Sequence, residues 1–365
     1  MLIKFEVENF KNFSKKLVFD LSKYNNYGFN EHLISKENAC ITKGIVYGKN
    51  GSGKSNLGLA IMDIVAHLTD NMVLYPRYEL YENLSTGDSE VKFTYTFRFE
   101  NHLVVYSYVK ESIDELLKES FSIDDKEYIN YNYKTNRGKS DLKGSEVLNL
   151  TSPSSEVSRV KFILNTTVLE DNEVNRIFLK FGNFVNQMLL FYSLDDRGYQ
   201  GLIVGTKKIT ELIIRENKVD EFQNFLKEAG IDYDLFSKED DIYCHFPERD
   251  VNLFSIASTG TKSISLLFYW YIQFQKTSFV FIDEFDAFYH FELAKHIIKQ
   301  LNQLNNNQIF LTSHNTDLMT NDLLRPDCCF VLSQNKITSL SDATDKDLRQ
   351  AHNLQKMYKA GAFGV

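Results

Sequence analysis

The run Gly48-Lys49-Asn50-Gly51-Ser52-Gly53-Lys54-Ser55 gathers residue types that together can hold a polyphosphate. Its glycines allow successive backbone N–H groups to converge on one anion, and a helix starting at Lys54 would aim its N-terminal partial charge at the same point. Lys54 is expected to reach the β- and γ-phosphates of a nucleotide, and Ser55 to ligate Mg²⁺. Gly48, Asn50, Gly51, Gly53, Lys54, Ser55 and Asn56 form the candidate nucleotide-binding set. From average residue usage, a chance match to this spacing in a chain of this length is on the order of 1%.

Such a site needs a second Mg²⁺ ligand and a group to orient water, and Phe279-Val280-Phe281-Ile282-Asp283-Glu284 offers both at the end of an apolar run. Asp283 is the candidate metal ligand. Glu284 is the candidate catalytic base. Alone, an apolar run closing on Asp-Glu is more often a capped strand. Twenty-five residues upstream, Ser258-Thr259-Gly260 opens a helix and offers a second N-terminus to phosphate, or else a plain Ser/Thr cap. His314 stands 31 residues after Asp283, in Leu311-Thr312-Ser313-His314-Asn315, as a candidate partner for the γ-phosphate.

Those residues require strands and helices to position them. Alternation over residues 2–9 and 17–21 predicts an opening β-hairpin around Asn9-Phe10-Lys11-Asn12-Phe13, and Gly44-Ile45-Val46-Tyr47 reads as a buried strand entering the glycine loop. Residues 54–69 follow at helical spacing. Between about 90 and 135 the period becomes two, which predicts an antiparallel sheet. Residues 165–192 and 206–229 read as helices, too short for a long coiled-coil arm. From residue 250, a helix to about Gln275, a strand to Ile282, a helix over 291–304 and the strand Ile309-Phe310-Leu311 predict a parallel sheet with crossover helices.

Taken together, the glycine loop, the Ser258 turn, the Asp283-Glu284 strand and His314 resemble the head of the RecF, SMC and OLD class of ABC ATPases, and the opening hairpin is similar to that class's first strand and nucleotide-facing turn. The resemblance implies an α/β fold: a P-loop NTPase, as an ABC head with an antiparallel subdomain in lobe one, a short helical insertion and a parallel-sheet core. The expected division is lobe one over 1–160, the insertion over 161–240, lobe two over 241–335 and a tail over 336–365. It also implies that Ser258 and Gly260 belong to a signature loop, although Ala257 and Thr259 depart from its commonest wording. In that class the loop binds the γ-phosphate of ATP held by the other protomer of a homodimer, and a histidine at the position of His314 senses it. The class's glutamine that couples lobe one to Mg²⁺ has only weak candidates, Asn165 and Gln187.

A narrower resemblance rests on Asp283 to His290, Leu324-Arg325-Pro326-Asp327, Arg349, Asn353 and Tyr358 to Gly364. These are similar to stand-alone ATP-binding proteins of abortive-infection and PARIS-like anti-phage systems. It implies a slow ATPase that serves as a nucleotide-switched sensor or scaffold and controls an effector, a Toprim-like or other nuclease, in trans. The roughly 50 residues after His314 are too few for a Toprim domain. The alternative is a RecF- or SMC-like ATPase acting directly on DNA in repair or chromosome maintenance.

Composition constrains partners only loosely. A net charge of -8 supplies no global attraction to nucleic acid, so DNA contact would need a local patch such as Lys134, Arg137, Lys139 and Lys143, where an ordinary exposed loop is the better reading. Asp195-Asp196 and Asp240-Asp241 read as solvated pairs rather than metal sites. Four scattered cysteines and the absence of a signal-like or membrane-length apolar run point to a reduced, cytoplasmic protein without membrane partners.

Overall fold

A computed structural model describes residues 1–146, 148, 150, 157–192, 199–202, 208–287 and 290–364. The chain opens on the antiparallel pair β1 (Leu2–Glu8) and β2 (Leu17–Asp20), passes through the short pair β3 (Ile34–Ser35) and β4 (Cys40–Ile41), and enters β5 (Lys43–Tyr47) and α1 (Lys54–Leu68). A meander follows: β6 (Val91–Phe99), β7 (His102–Lys110), β8 (Leu116–Ile123), β9 (Lys126–Asn132) and β10 (Arg137–Ser140). Next come α2 (Arg159–Thr166), α3 (Glu173–Asn186), β11 (Met188–Tyr192), β12 (Tyr199–Gly201), α4 (Ile209–Arg215) and α5 (Val219–Glu228). The strands β13 (Leu235–Lys238), β14 (Asp241–His245) and β15 (Asp250–Asn252) lead through α6 (Leu253–Ile256) into α7 (Thr259–Phe274). The last stretch holds β16 (Phe279–Asp283), α8 (Phe291–Asn302), β17 (Gln308–Ser313), β18 (Cys329–Ser333), β19 (Lys336–Ser339) and α9 (Leu354–Lys359).

Two seven-stranded sheets organise these elements. One is antiparallel, in the order β10-β9-β8-β7-β6-β1-β2; the other runs β12-β11-β16-β17-β5-β18-β19, parallel from β11 to β18 with an antiparallel strand at each edge. Helix α1 lies between the sheets and is buried on almost every side. Toward the antiparallel sheet, the Tyr95 hydroxyl on β6 donates to the Ala60 carbonyl at 2.9 Å. Toward the parallel sheet, Gly58 allows close approach, since a Cβ there would lie 2.7 Å from the Phe281 ring on β16. This is the mixed α/β architecture of a P-loop NTPase, with strand, glycine loop and helix in the expected order.

Several expected elements are redrawn. Residues 165–192 are not one helix, because Met188-Leu189-Leu190-Phe191-Tyr192 joins the parallel sheet beside β16. The segment expected as a helical insertion therefore contributes strands to both larger and smaller sheets. Residues 206–229 split into α4 and α5 at Asn217, whose φ of 53° stops the first helix. Asp195-Asp196 lie outside the described residues, and no group of three or more His, Cys, Asp or Glu suited to a metal occurs among the described ones. All four cysteines are free and buried, and no described helix is long and apolar enough to cross a membrane.

Candidate functional site

Strand β5 delivers Gly48 at the end of the parallel sheet, and α1 begins six residues later. Between them the chain turns through two left-handed glycines, Gly51 at φ 76° and Gly53 at φ 100°. Gly53 also needs its missing side chain, because a Cβ would sit 2.3 Å from Asn12 Nδ2. Asn12, from the β1–β2 turn, donates to the Ser52 carbonyl at 3.2 Å and accepts from Asn56 Nδ2 at 2.6 Å. The opening hairpin thus braces the loop from outside. A Cβ at Gly48 would strike the Leu332 carbonyl at 2.7 Å, so β18 braces it from the other side.

Lys54 Nζ donates to the Gly48 carbonyl at 3.0 Å and approaches His314 Nδ1 at 3.5 Å. In this pair the lysine is the donor and Nδ1 the acceptor, which leaves Nε2 as the ring's outward nitrogen. That nitrogen lies 3.8 Å from Glu284 Oε1. Partial burial pushes the Lys54 ammonium below the ordinary lysine range, while Asp283 and Glu284 pull it back up. Asn50, Gly51, Gly53, Lys54, Ser55, Asn56, Glu284 and His314 line one cavity of about 290 Å³.

Asp283 ends β16 and is buried; Glu284 follows with φ 50°, an uncommon backbone for glutamate. Thr312 on the neighbouring β17 holds both. Its hydroxyl donates to Asp283 Oδ1 at 2.7 Å and accepts from the Glu284 N–H at 2.7 Å, while its carbonyl accepts from the Phe285 N–H at 3.2 Å. The sequence alone assigns Thr312 no role; its signal is the polar pair Thr312-Ser313 buried at the end of an apolar run. Next to it, the Ser313 hydroxyl donates to Asp286 Oδ2 at 2.8 Å, and burial raises the Asp286 carboxyl above its ordinary range.

The residues present fit a nucleotide. The glycine cradle has no room for Cβ atoms at Gly48 and Gly53, and Ser52 Oγ is buried without a hydrogen-bond partner. Ser55 and Asp283 offer the hard oxygen donors suited to Mg²⁺, which takes few protein ligands and completes its shell with water and phosphate.

Ser258 and Gly260 do not line that cavity. Ser258 caps α7 by accepting from the Thr261 N–H at 3.1 Å, and a Cβ at Gly260 would meet only Ser258 Oγ at 3.7 Å. The turn is exposed and sterically open. Gln187 sits before β11, where its carbonyl accepts from Ser278 at the end of β16 opposite Asp283, and Asn165 is exposed on α2. Neither belongs to the site. In the basic loop, Lys134, Lys139 and Lys143 pair with Glu90, Asp141 and Glu146 at 3.0, 2.8 and 3.6 Å, so its charge is largely compensated.

Residues 45–320 match the family model described as "AAA domain, putative AbiEii toxin, Type IV TA system". No curated protein matches the chain. Among solved structures, the SMC head domain from Thermotoga maritima is 14% identical, covering 93% of this chain and 98% of that one at a TM-score of 0.44. An Smc head domain with an extended coiled coil, bound to the C-terminal domain of ScpA and derived from Pyrococcus furiosus, is 13% identical over 94% of this chain and 97% of that one, at a TM-score of 0.47.

Proposed function

This chain belongs to the AAA-domain family that its residues 45–320 match, and from that membership we propose that it is an ATP-binding and ATP-hydrolysing switch of the ABC type. The carrying observation is the convergence of Lys54, Glu284 and His314 on one cavity at the ends of β5, β16 and β17. Backbone N–H groups of the Gly48–Ser55 loop and Lys54 hold the β- and γ-phosphates. Ser55 and Asp283 would hold Mg²⁺, which would supply charge neutralisation at the phosphates. Glu284 takes a proton from the water that attacks the γ-phosphorus, the bond to the ADP oxygen breaks, and His314 donates from Nε2 to the separating phosphate.

Ser258 and Gly260 complete the site from a second copy of the chain, since they stand on an exposed helix start outside the cavity of their own protomer. Two-fold exchange of that turn gives a homodimer with two composite sites. In a cell the nucleotide state of this dimer controls an effector, a nuclease acting in trans, in anti-phage defence. The resemblance carried by Asp283 to His290, Leu324 to Asp327, Arg349, Asn353 and Tyr358 to Gly364, and the toxin–antitoxin wording of the family's description, support that role.

Glu284→Gln tests the reading directly. Hydrolysis should fall by roughly 10²–10⁴-fold, the contribution of a general base, while ATP stays bound and the protein sediments as a dimer. Wild-type turnover by this variant would refute the assignment.

A further inference from the structure

Beside the nucleotide loop the protein exposes two leucines at a cost that its own fold does not repay. Leu80 is 68% exposed and Leu84 70% exposed, and Leu80 is also held at φ 52°, a left-handed conformation unfavourable for a leucine. Their placement is fixed. The Lys11 N–H donates to the Tyr81 carbonyl at 3.0 Å and the Asn83 N–H to the Asn9 carbonyl at 3.0 Å, so residues 80–84 are strapped to the β1–β2 turn. One residue along, Asn12 contacts Ser52 and Asn56 of the nucleotide loop and helix. The leucines therefore stand on a segment strapped to the turn that braces the nucleotide loop.

The exposed turn around Ser258 carries the matching features. Ile256, two residues before Ser258, is 39% exposed, and Lys262 is the sole charged residue between 253 and 262. Residues 79–90 carry Glu79, Glu82 and Asp88 and no basic residue, while Glu90 is already paired with Lys134 at 3.0 Å. We infer that Leu80 and Leu84 form an apolar docking surface for a second copy of this chain, receiving its Ile256, with its Lys262 facing the acidic rim. This rests on the composite-site reading, because a partner Ser258 at the nucleotide loop carries Ile256 within two residues' reach of it, on the order of 7 Å. Apolar contact in the middle and opposite charges at the edge give the closed pair its register.

The experiment uses the full chain with Glu284→Gln and ATP, comparing dimer formation by sedimentation with and without Leu80→Asn and Leu84→Ser. Asparagine tolerates the left-handed backbone, so the thermal midpoint should hold or rise while the dimer weakens at least tenfold and ATP binding to the dilute monomer stays within twofold. In parallel, protomers carrying Leu84→Cys are mixed with protomers carrying Ile256→Cys and a short bismaleimide. The native cysteines are all buried, so cross-linked pairs should appear only with ATP. If the parent variant dimerises with ATP but the leucine changes leave the dimer intact and no cross-link forms, the surface is wrong and the composite site stands. If the parent variant does not dimerise with ATP, both fall.

Discussion

At the level of single residues, the site depends on groups that do no chemistry themselves. Gly53 is fixed by two separate constraints, its φ of 100° and the 2.3 Å approach of Asn12 to the position of a Cβ. Gly53→Ala should cost roughly 2–4 kcal/mol in urea unfolding and abolish detectable ATP binding, combining left-handed strain with a clash. Adding Asn12→Gly removes the clash, and with it the hydrogen bonds of Asn12 to Ser52 and Asn56. The double variant should recover at most the part of the loss that exceeds the roughly 1–2 kcal/mol of backbone strain. Thr312 acts by a different route, because its one hydroxyl fixes Asp283 and the Glu284 backbone together. Thr312→Val should lower the hydrolysis rate by about 10²-fold through misplacement of Glu284, with Thr312→Ser close to wild type. Equal rates in Val and Ser variants would show that the hydroxyl does not position the base.

At the level of elements, the central strand that feeds the loop carries a buried amine. Lys43 begins β5 with its Nζ bonded to the Asn307 carbonyl at 2.8 Å, and burial lowers its pKa to about 7. In the unfolded chain the same amine titrates near roughly 10.4. Between those values the unfolded state binds a proton that the folded state does not, so stability rises with pH across that window. Below pH 7 both states are charged and the cost of burying the ammonium is felt in full. Lys43's own share of the rise should be on the order of 4 kcal/mol, read by urea titration as the difference between wild type and Lys43→Met from pH 7 to 10, since the buried thiols, pushed up by burial, lose stability over the upper part of that window. The same strand was easy to read from sequence, since a continuous apolar run before a glycine loop has one common meaning. Met188 to Tyr192 was not, because a run buried on both faces of a parallel sheet has no period to separate it from the apolar helix before it. Leu116 to Ile123 lies inside the 90–135 stretch read as antiparallel sheet, but Lys118, Glu119, Ser120 and Ser122 blur its own alternation, and Glu119 is a charged residue turned inward. Of the residues singled out for chemistry, Asn50, Gly51, Gly53, Lys54, Ser55, Asn56, Glu284 and His314 line one cavity, with Gly48 bonded to Lys54 and Asp283 beside Glu284, whereas Ser258 and Gly260 stand outside it.

At the level of the whole molecule, α1 is the part through which the nucleotide loop meets both sheets, and a buried ion pair fastens it to one of them. Lys110 Nζ on β7 lies 2.9 Å from Asp63 Oδ1 on α1, and both side chains are fully buried. Tyr81 and Tyr108 donate to the same carboxylate at 2.6 and 2.8 Å, so Asp63 satisfies three donors from the antiparallel sheet and its flanking loop. On its other side, α1 meets the parallel sheet at Gly58 and Phe281, two residues before Asp283. The antiparallel sheet is thereby fastened to the helix that presents Lys54 and Ser55. Because a buried charge without its partner costs more than the pair contributes, Lys110→Met should destabilise the protein by roughly 3–5 kcal/mol. Asp63→Asn with Lys110→Met removes both charges and keeps an acceptor for a tyrosine, so it should recover at least half of that loss. The cycle is completed with Asp63→Asn alone, and urea unfolding of all four proteins gives the coupling. Additive losses would mean that the ion pair does not hold α1 to the sheet, and the loop would then answer to the parallel sheet only.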